Sequence, residues 1–234
     1  LFLQPKFNAA SHRLVGAEAL LRWRHPERGL VPPMQFIPAL EDTGMVIEVG
    51  AWVRREGLRI WKEWQAAGHD GLRVAVNVSA RELRHSDFVA QCAGLLEPHL
   101  GEHGLDIEIT ESMLMDDISK SVSVLQELRA LGCRIGIDDF GTGYSSLNYL
   151  SRLPADTLKI DQSFTSAIAL SADTLSLVTN IIGLAHSLGL SVVAEGVEKE
   201  EQAKLLRLLR CDELQGYHLG RPMPVADFRK QFLD

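Results

Sequence analysis

One layout recurs along this chain and constrains its fold more than anything else: a short apolar, often β-branched run that stops at a polar side chain. Val74-Ala75-Val76 stops at Asn77, Leu105-Asp106-Ile107 at Glu108, and Cys133 to Ile137 at Asp138 and Asp139. Thr157-Leu158 stops at Lys159, Val192-Val193-Ala194 at Glu195, and Leu214 at Gln215. Between these runs, Ser119 to Leu131, Thr174 to Leu188 and Glu200 to Leu209 place apolar residues at spacings near three and four, the helical period. Alternation of strand and helix predicts parallel βα units. If the sheet closes into a barrel, polar groups at the C-terminal strand ends converge on one mouth, where such barrels build active sites.

The first segment breaks the rhythm. Leu1 to Phe7 and Leu14 to Arg22 are two strand-like runs joined by Asn8-Ala9-Ala10-Ser11-His12, which predicts a hairpin. The expected fold is therefore a modified TIM (β/α)8 barrel with an antiparallel first strand. Pro32-Pro33 predicts a helix from Met34 to Asp42, stopped at Gly44. The 234 residues carry no linker-like stretch and suit one domain over 1–234. The chain opens inside a strand-like run at Leu1-Phe2-Leu3-Gln4 without Met, so it is expected to be a piece of a longer signalling protein. No run approaches the roughly 20 apolar residues of a membrane span. Cys92, Cys133 and Cys211 are isolated, as expected of a reduced, cytoplasmic setting and of buried small hydrophobes rather than thiolate ligands. The net charge of −7 argues against polymeric nucleic acid, although divalent ions could reverse the sign locally for a small phosphate ligand.

The most concentrated chemistry lies in Ile137-Asp138-Asp139-Phe140-Gly141-Thr142-Gly143, an apolar strand that runs into two adjacent carboxylates and a glycine-rich turn. Neighbouring carboxylates repel unless one is protonated or a cation sits between them. Glu18, within the otherwise apolar Ala17-Glu18-Ala19-Leu20-Leu21, likewise needs a partner. Glu18, Asn77, Glu108, Asp138, Asp139 and Glu195 together offer one amide and five carboxylates to one mouth. At an effective dielectric of ~20 and ~4 Å, each close pair repels by roughly 4 kcal/mol. Oxygen donors without thiolate or imidazole favour Mg2+ or Mn2+ over Zn2+. A shared Asp between two ions about 3.5–4 Å apart would suit in-line phosphoryl chemistry.

These residues carry a family resemblance over nearly the whole chain. Glu18-Ala19-Leu20-Leu21-Arg22-Trp23, Asn77-Val78-Ser79, Glu108-Ile109-Thr110-Glu111, Asp138 to Gly143, Leu158-Lys159-Ile160-Asp161, Ala194-Glu195-Gly196-Val197-Glu198 and Leu214-Gln215-Gly216-Tyr217 follow one another as in the EAL-domain cyclic di-GMP phosphodiesterases, which the chain resembles. The resemblance implies hydrolysis of cyclic di-GMP to linear pGpG by cutting one P–O3′ bond, with two divalent cations. It places Glu18, Asn77, Glu108 and Asp138 on one cation and lets Asp138 bridge to a second, which Asp139 also holds. It gives Glu195 the role of general base or ligand of the second cation, and Lys159 that of holding the attacking water. Gln215 would support that water network, and Gln4, Leu21 and Arg22 would contact substrate. Glu111 would anchor the Asp139 to Leu150 loop, a hinged lid that reaches a homodimer interface. Upstream sensory or GGDEF-type domains are expected in the parent protein.

Other readings are weaker. Asp139-Phe140-Gly141 is also the kinase metal triplet, but no His-Arg-Asp loop precedes it. His99 and His103 are four apart, yet Gly101 and Gly104 interrupt the helix that would align them, so a solvated loop is expected. Trp52, Trp61 and Trp64 are expected to pack one helix, Val46 to Ala67, against the barrel, with Arg54 and Arg55 on its solvated face. The rival function is a catalytically silent cyclic di-GMP receptor or protein-interaction domain. Such a domain would be expected to lose cation ligands, and all of them stand here.

Overall fold

The computed structural model describes residues 1–96, 104–115, 117–141 and 150–234. Its centre is a closed barrel of eight strands: β1 (Phe2–Asn8), β2 (Leu14–Leu20), β5 (Arg73–Asn77), β6 (Leu105–Thr110), β7 (Arg134–Phe140), β8 (Thr157–Ile160), β9 (Ser191–Ala194) and β10 (Glu213–Gln215). Neighbours from β2 round to β10 run parallel. β1 closes the ring antiparallel to both β2 and β10. This is the modified TIM barrel the sequence predicts. Because β1 alone runs backwards, its beginning lies where the other strands end, and Gln4 stands in register with Glu18. β3 (Trp23–His25) and β4 (Gly29–Val31) form a separate hairpin, and β11 (Met223–Pro224) adds to the open part of β1. Neither was expected.

The strands read as continuous Val, Ile, Leu and Ala because they are covered on both faces, as parallel strands must be. Val74, Val76, Ile107, Ile135, Ile137, Leu158, Ile160, Val192 and Val193 are buried. Helices Val46–Ala66, Phe88–Leu96, Ile118–Ala130, Ala172–Ser187, Glu200–Leu208 and Val225–Phe232 form the outer layer. Two of them start on side-chain caps, Asp117 accepting from the Lys120 N–H and Ser171 from the Thr174 N–H, and in the short helix Ala80–Leu83 the cap Ser79 completes a reciprocal box with Glu82. Gly104 is required where the outer helix meets the sheet, since a Cβ there would lie 1.9 Å from the Trp61 ring.

Three expectations need correction. The helix predicted from Met34 to Asp42 is a 3-10 turn, Pro33–Gln35, followed by a separate helix, Ile37–Thr43, that does stop at Gly44 in the left-handed conformation. Pro38 has no N–H to continue a helix from Met34 and sits instead in the first turn of the new one. Trp61 and Trp64 pack inward, but Trp52 lies off the buried stripe and is exposed. Arg54 is 2 % exposed, not on a solvated face: it pairs with buried Glu82 and stacks 4.8 Å from the Phe88 ring centroid. The three cysteines are free and buried, and burial first, then nearby negative groups, pushes the Cys133 and Cys211 thiols up to about 12. No described helix is long and apolar enough to cross a membrane. His99 and His103 lie outside the described residues.

Candidate active site

Glu18 in β2, Asn77 at the end of β5, Glu108 in β6, Asp138 and Asp139 in β7, Lys159 in β8, Glu195 just past β9, and Gln215 ending β10 all converge in the barrel mouth. Two of these strands run further than expected: β6 continues past Glu108 to Thr110, and β7 past Asp138 to Phe140. The pairing of Asn77 with Glu108 and of Thr110 with Asp138 sets the depth of each group.

Adjacent strand residues normally point to opposite faces, so Asp138 and Asp139 should not reach the same place. A bulge solves this. The ladder between β7 and β8 steps from Ile137 opposite Leu158 to Phe140 opposite Ile160, so β7 spends one residue more than its partner. Asp139 takes φ +54, the left-handed region that Asp tolerates better than most residues. Both carboxylates then line one cavity of about 350 Å³, together with Gln4, Glu18, Leu20, Arg22, Asn77, Glu195, Gln215 and Tyr217. The sequence reading gave no role to Asp161, Glu198 and Tyr217, which line the cavity, although each closes one of the motifs quoted above. Leu21 lines an adjoining apolar cavity of about 260 Å³ instead, which shares Leu20 and Asn77 with the mouth. A larger groove of about 640 Å³ lies between the outer helices that carry Ile47 and Gln91, away from these groups.

Oxygens of Glu18, Glu108 and Asp138 lie within 4.8 Å of one another, as do those of Asp138, Asp139 and Glu195. The two triads share Asp138. Lys159, fully buried, sits among them, with Nζ 2.6 Å from Glu195, 2.8 Å from Glu108, 3.0 Å from Asp138 and 3.6 Å from Glu18. Asn77 Nδ2 donates to Glu18 Oε1 at 2.6 Å, and Gln215 Nε2 donates to Glu18 Oε2 at 2.6 Å and to Gln4 Oε1 at 3.1 Å. Gln4 donates in turn to the Gly220 carbonyl. Arg22 donates to the Leu21 carbonyl and lies 5.8 Å from the Phe2 ring centroid, at the rim.

The electrostatics show a crowd of carboxylates sharing one ammonium. Glu195 is pushed up to about 8, first by burial and then by Asp138 and Glu18, against the pull of Lys159. Asp138 rises to about 6 for the same reasons, burial foremost, with Glu108 and Glu18 adding. Glu108 goes the other way, down to about 2: burial opposes ionisation, but Lys159 and Lys6 outweigh it. Lys159 is raised well above the ordinary lysine value because four carboxylates overcome its burial. Lys6 had not been singled out. It is buried, its Nζ lies 2.5 Å from Glu108 Oε1, and its kinship with Gln4, two residues earlier on the same strand face, was the available signal.

The donor set suits hard divalent cations, being carboxylate and amide oxygen throughout. A further sign is that Gln215 Oε1 is buried and accepts no hydrogen bond among the described residues, although a buried acceptor normally has a donor. Beside the mouth, Glu111 is buried and its Oε2 accepts from the Gly141 N–H at 3.3 Å, at the base of the segment that follows β7. Residues 142–149, the body of the expected lid, lie outside the described residues.

Comparison with known proteins agrees with the geometry. MucR of Pseudomonas aeruginosa, named a bifunctional diguanylate cyclase/cyclic di-GMP phosphodiesterase, is 46 % identical over 226 residues, which are 96 % of this chain and 33 % of MucR. NbdA of the same organism, named a cyclic di-GMP phosphodiesterase, is 43 % identical over 97 % of this chain and 29 % of its own length. The chain thus spans about a third of the length of such relatives. The solved PaMucR phosphodiesterase in complex with c-di-GMP superposes with a TM-score of 0.92 at 44 % identity, covering 97 % of this chain and 93 % of that one. Residues 1–222 match the family described as EAL domain, and the chain belongs to that family.

Proposed function

We propose that this domain hydrolyses cyclic di-GMP to linear pGpG with two divalent cations, Mg2+ or Mn2+. The observation that carries the proposal is the pair of carboxylate triads that share Asp138. Glu18, Asn77, Glu108 and Asp138 would hold one cation, and Asp138, Asp139 and Glu195 the other. When bound, such cations lower the pKa of a held water and neutralise charge on phosphoryl oxygens. Asn77 must turn its amide so that Oδ1, not Nδ2, faces the ion.

The remaining roles belong to the chain itself. Burial pushes the Glu195 carboxyl up to about 8, so its carboxylate is a stronger base than an ordinary one, and bound cations would favour the ionised form that takes a proton from water. Lys159 supplies a fixed ammonium for the attacking oxygen and the charge that develops on the phosphoryl oxygens. Gln215, held by Glu18 and Gln4, offers its unpaired Oε1 to orient that water. The water oxygen bonds to phosphorus, the P–O3′ bond breaks, and the ribose 3′ oxygen leaves with a proton. Arg22 at the rim would bind a phosphate oxygen and Gln4 a guanine edge, whereas Leu21, in the adjoining cavity, is given no substrate contact. Glu111, through Gly141, steadies the loop that follows β7.

The same reading places the domain in a larger cytoplasmic signalling protein, working as a homodimer beside sensory or GGDEF-type domains. Named relatives that are cyclic di-GMP phosphodiesterases about three times this length support it. The test is chromatography of products from cyclic di-GMP incubated with the domain and Mg2+ or Mn2+, beside a chelated sample and Glu18→Ala. Linear pGpG only in the intact, cation-supplied sample is expected. Tight binding without turnover in every sample would refute the enzyme and favour the receptor.

A further inference from the structure

Beneath the mouth lies a second buried lysine, Lys6, with one ion-pair partner among the described residues. β1 points Gln4 and Lys6 to the barrel interior, and Lys6 stands level with Gly16 and Gln215 on its two neighbouring strands. Its Nζ reaches Glu108 Oε1 at 2.5 Å, whereas Glu108 Oε2 meets Lys159 at 2.8 Å. Lys159 can exchange carboxylate partners, since it touches four. Lys6 has fewer to choose from: among the described residues Glu108 is its one ion-pair partner, with Glu213 across the same small cavity within reach of its charge. Lys6 also does not line the mouth. It lines a separate cavity of about 30 Å³ on the far side of Glu108, with Arg73, Asp106, Arg134 and Glu213, too small for more than a water. It is therefore out of reach of substrate, and one oxygen of Glu108 is engaged on the side away from the mouth.

We propose that Lys6 is a positioning residue that fixes Glu108 as a one-oxygen donor and limits how tightly the mouth holds its cations. The inference rests on the two-cation reading above. A cation on Oε2 and the Lys6 ammonium on Oε1 would share one carboxylate and repel through it, at a depth where water screens little. An enzyme that must admit and release cations, water and product gains from a site that is not too tight. Removing the charge should destabilise the empty site, because Glu108 loses its partner, and at the same time strengthen cation binding.

The experiment titrates Mn2+ alone into chelator-stripped protein and follows free Mn2+ by electron paramagnetic resonance, for wild type, Lys6→Met and Lys6→Gln. The thermal midpoint of each stripped protein is recorded in parallel. Lys6→Met is expected to lower the midpoint and to tighten Mn2+ binding by about tenfold or more, the scale of one buried unit charge beside a divalent ion. Lys6→Gln keeps a neutral donor for Oε1 and carries the test if Lys6→Met does not fold. It should tighten binding as well. A lysine that only fills space predicts a lower midpoint with no gain in affinity. Unchanged or weaker Mn2+ binding in a folded variant would overturn this inference alone. A wild type that binds no Mn2+ would overturn the two-cation reading and this inference with it.

Discussion

Removing the carboxylate of Glu82 should cost far more stability than a surface-looking glutamate suggests. Glu82 and Arg54 are 3 % and 2 % exposed and pair with each other. The second oxygen of Glu82 accepts from the Ser79 N–H at 3.0 Å and from the Ser79 hydroxyl at 2.9 Å. Gly50 fixes this geometry, because a Cβ there would lie 1.7 Å from Glu82 Oε1. Glu82→Ala strands a buried guanidinium, worth about 3–5 kcal/mol, and removes half of a capping box, worth roughly 1 kcal/mol. The expected loss is about 4–6 kcal/mol, a large part of the 5–15 kcal/mol typical of a domain. The Arg54→Met, Glu82→Leu double variant replaces both charges with apolar bulk and should lose only about 1–2 kcal/mol. Urea denaturation of the single and double variants measures this directly. Additive losses would refute the claim that Arg54 and Glu82 act as one buried unit. Asn77 lies two residues before the Ser79 cap, so Glu82→Ala should also weaken Mn2+ binding in whatever fraction remains folded.

Two further outcomes are expected. Glu111→Ala removes the acceptor of the Gly141 N–H and should lower turnover by roughly 10- to 100-fold while Mn2+ affinity stays within about twofold, as for a misplaced positioning group; unchanged turnover in a steady-state assay would count against the anchor. Chelated protein should lose stability as pH rises, because a carboxylate raised in the folded state stabilises it below the ordinary carboxylate value, and that contribution is gone once pH passes about 8, where Glu195 ionises. Divalent binding must expel the same proton, so Mn2+ affinity should rise about tenfold per pH unit between about pH 6 and pH 8, more steeply below pH 6 where Asp138 is also protonated, and level off above pH 8; a flat profile in calorimetry would contradict this.

Much of the mouth was legible because each of its groups interrupts an apolar strand. Glu18, Asn77, Glu108, Asp138, Lys159 and Glu195 are conspicuous for the same reason that they are costly to bury. The hairpin was legible from Asn8 to His12, and with it the reversal of β1. Asp139 was singled out for an incomplete reason: alternation sends it away from Asp138, and only the bulge, which no local residue type announces, brings the two carboxylates together. Arg54 fell on the buried stripe between Gly50 and Gly57, where the period places it, yet its type suggested solvent. Its partner Glu82 is 28 residues away, and no sequence pattern links the two. Lys6 was hidden in the same way, by a partner 102 residues distant. What the sequence conceals are compensations between strands and helices that meet only in the folded chain.

Charge accounts for how an acidic chain can take an anionic ligand. Fully ionised, Glu18, Glu108, Asp138, Asp139, Asp161, Glu195 and Glu198 place seven negative charges in and around the mouth, and Arg22, Lys159 and, from beneath, Lys6 return three positive ones. The mouth alone would therefore repel a phosphodiester, and the upward shifts of Asp138 and Glu195 are its partial answer, proton by proton. Two divalent cations would cancel the remaining deficit of four and so remove the repulsion of a phosphodiester anion. One cation would leave the mouth negative. If the proposed reaction is right, cation binding and substrate binding must then be coupled, each tightening the other by the same factor. Cyclic di-GMP should therefore bind Glu18→Ala weakly even where the fold is intact, and wild-type affinity measured in chelator should fall to that of the variant. Equal affinity with and without cations would show that the ligand is held by the rim, through groups such as Arg22 and Tyr217, and that the acidic mouth serves some other end.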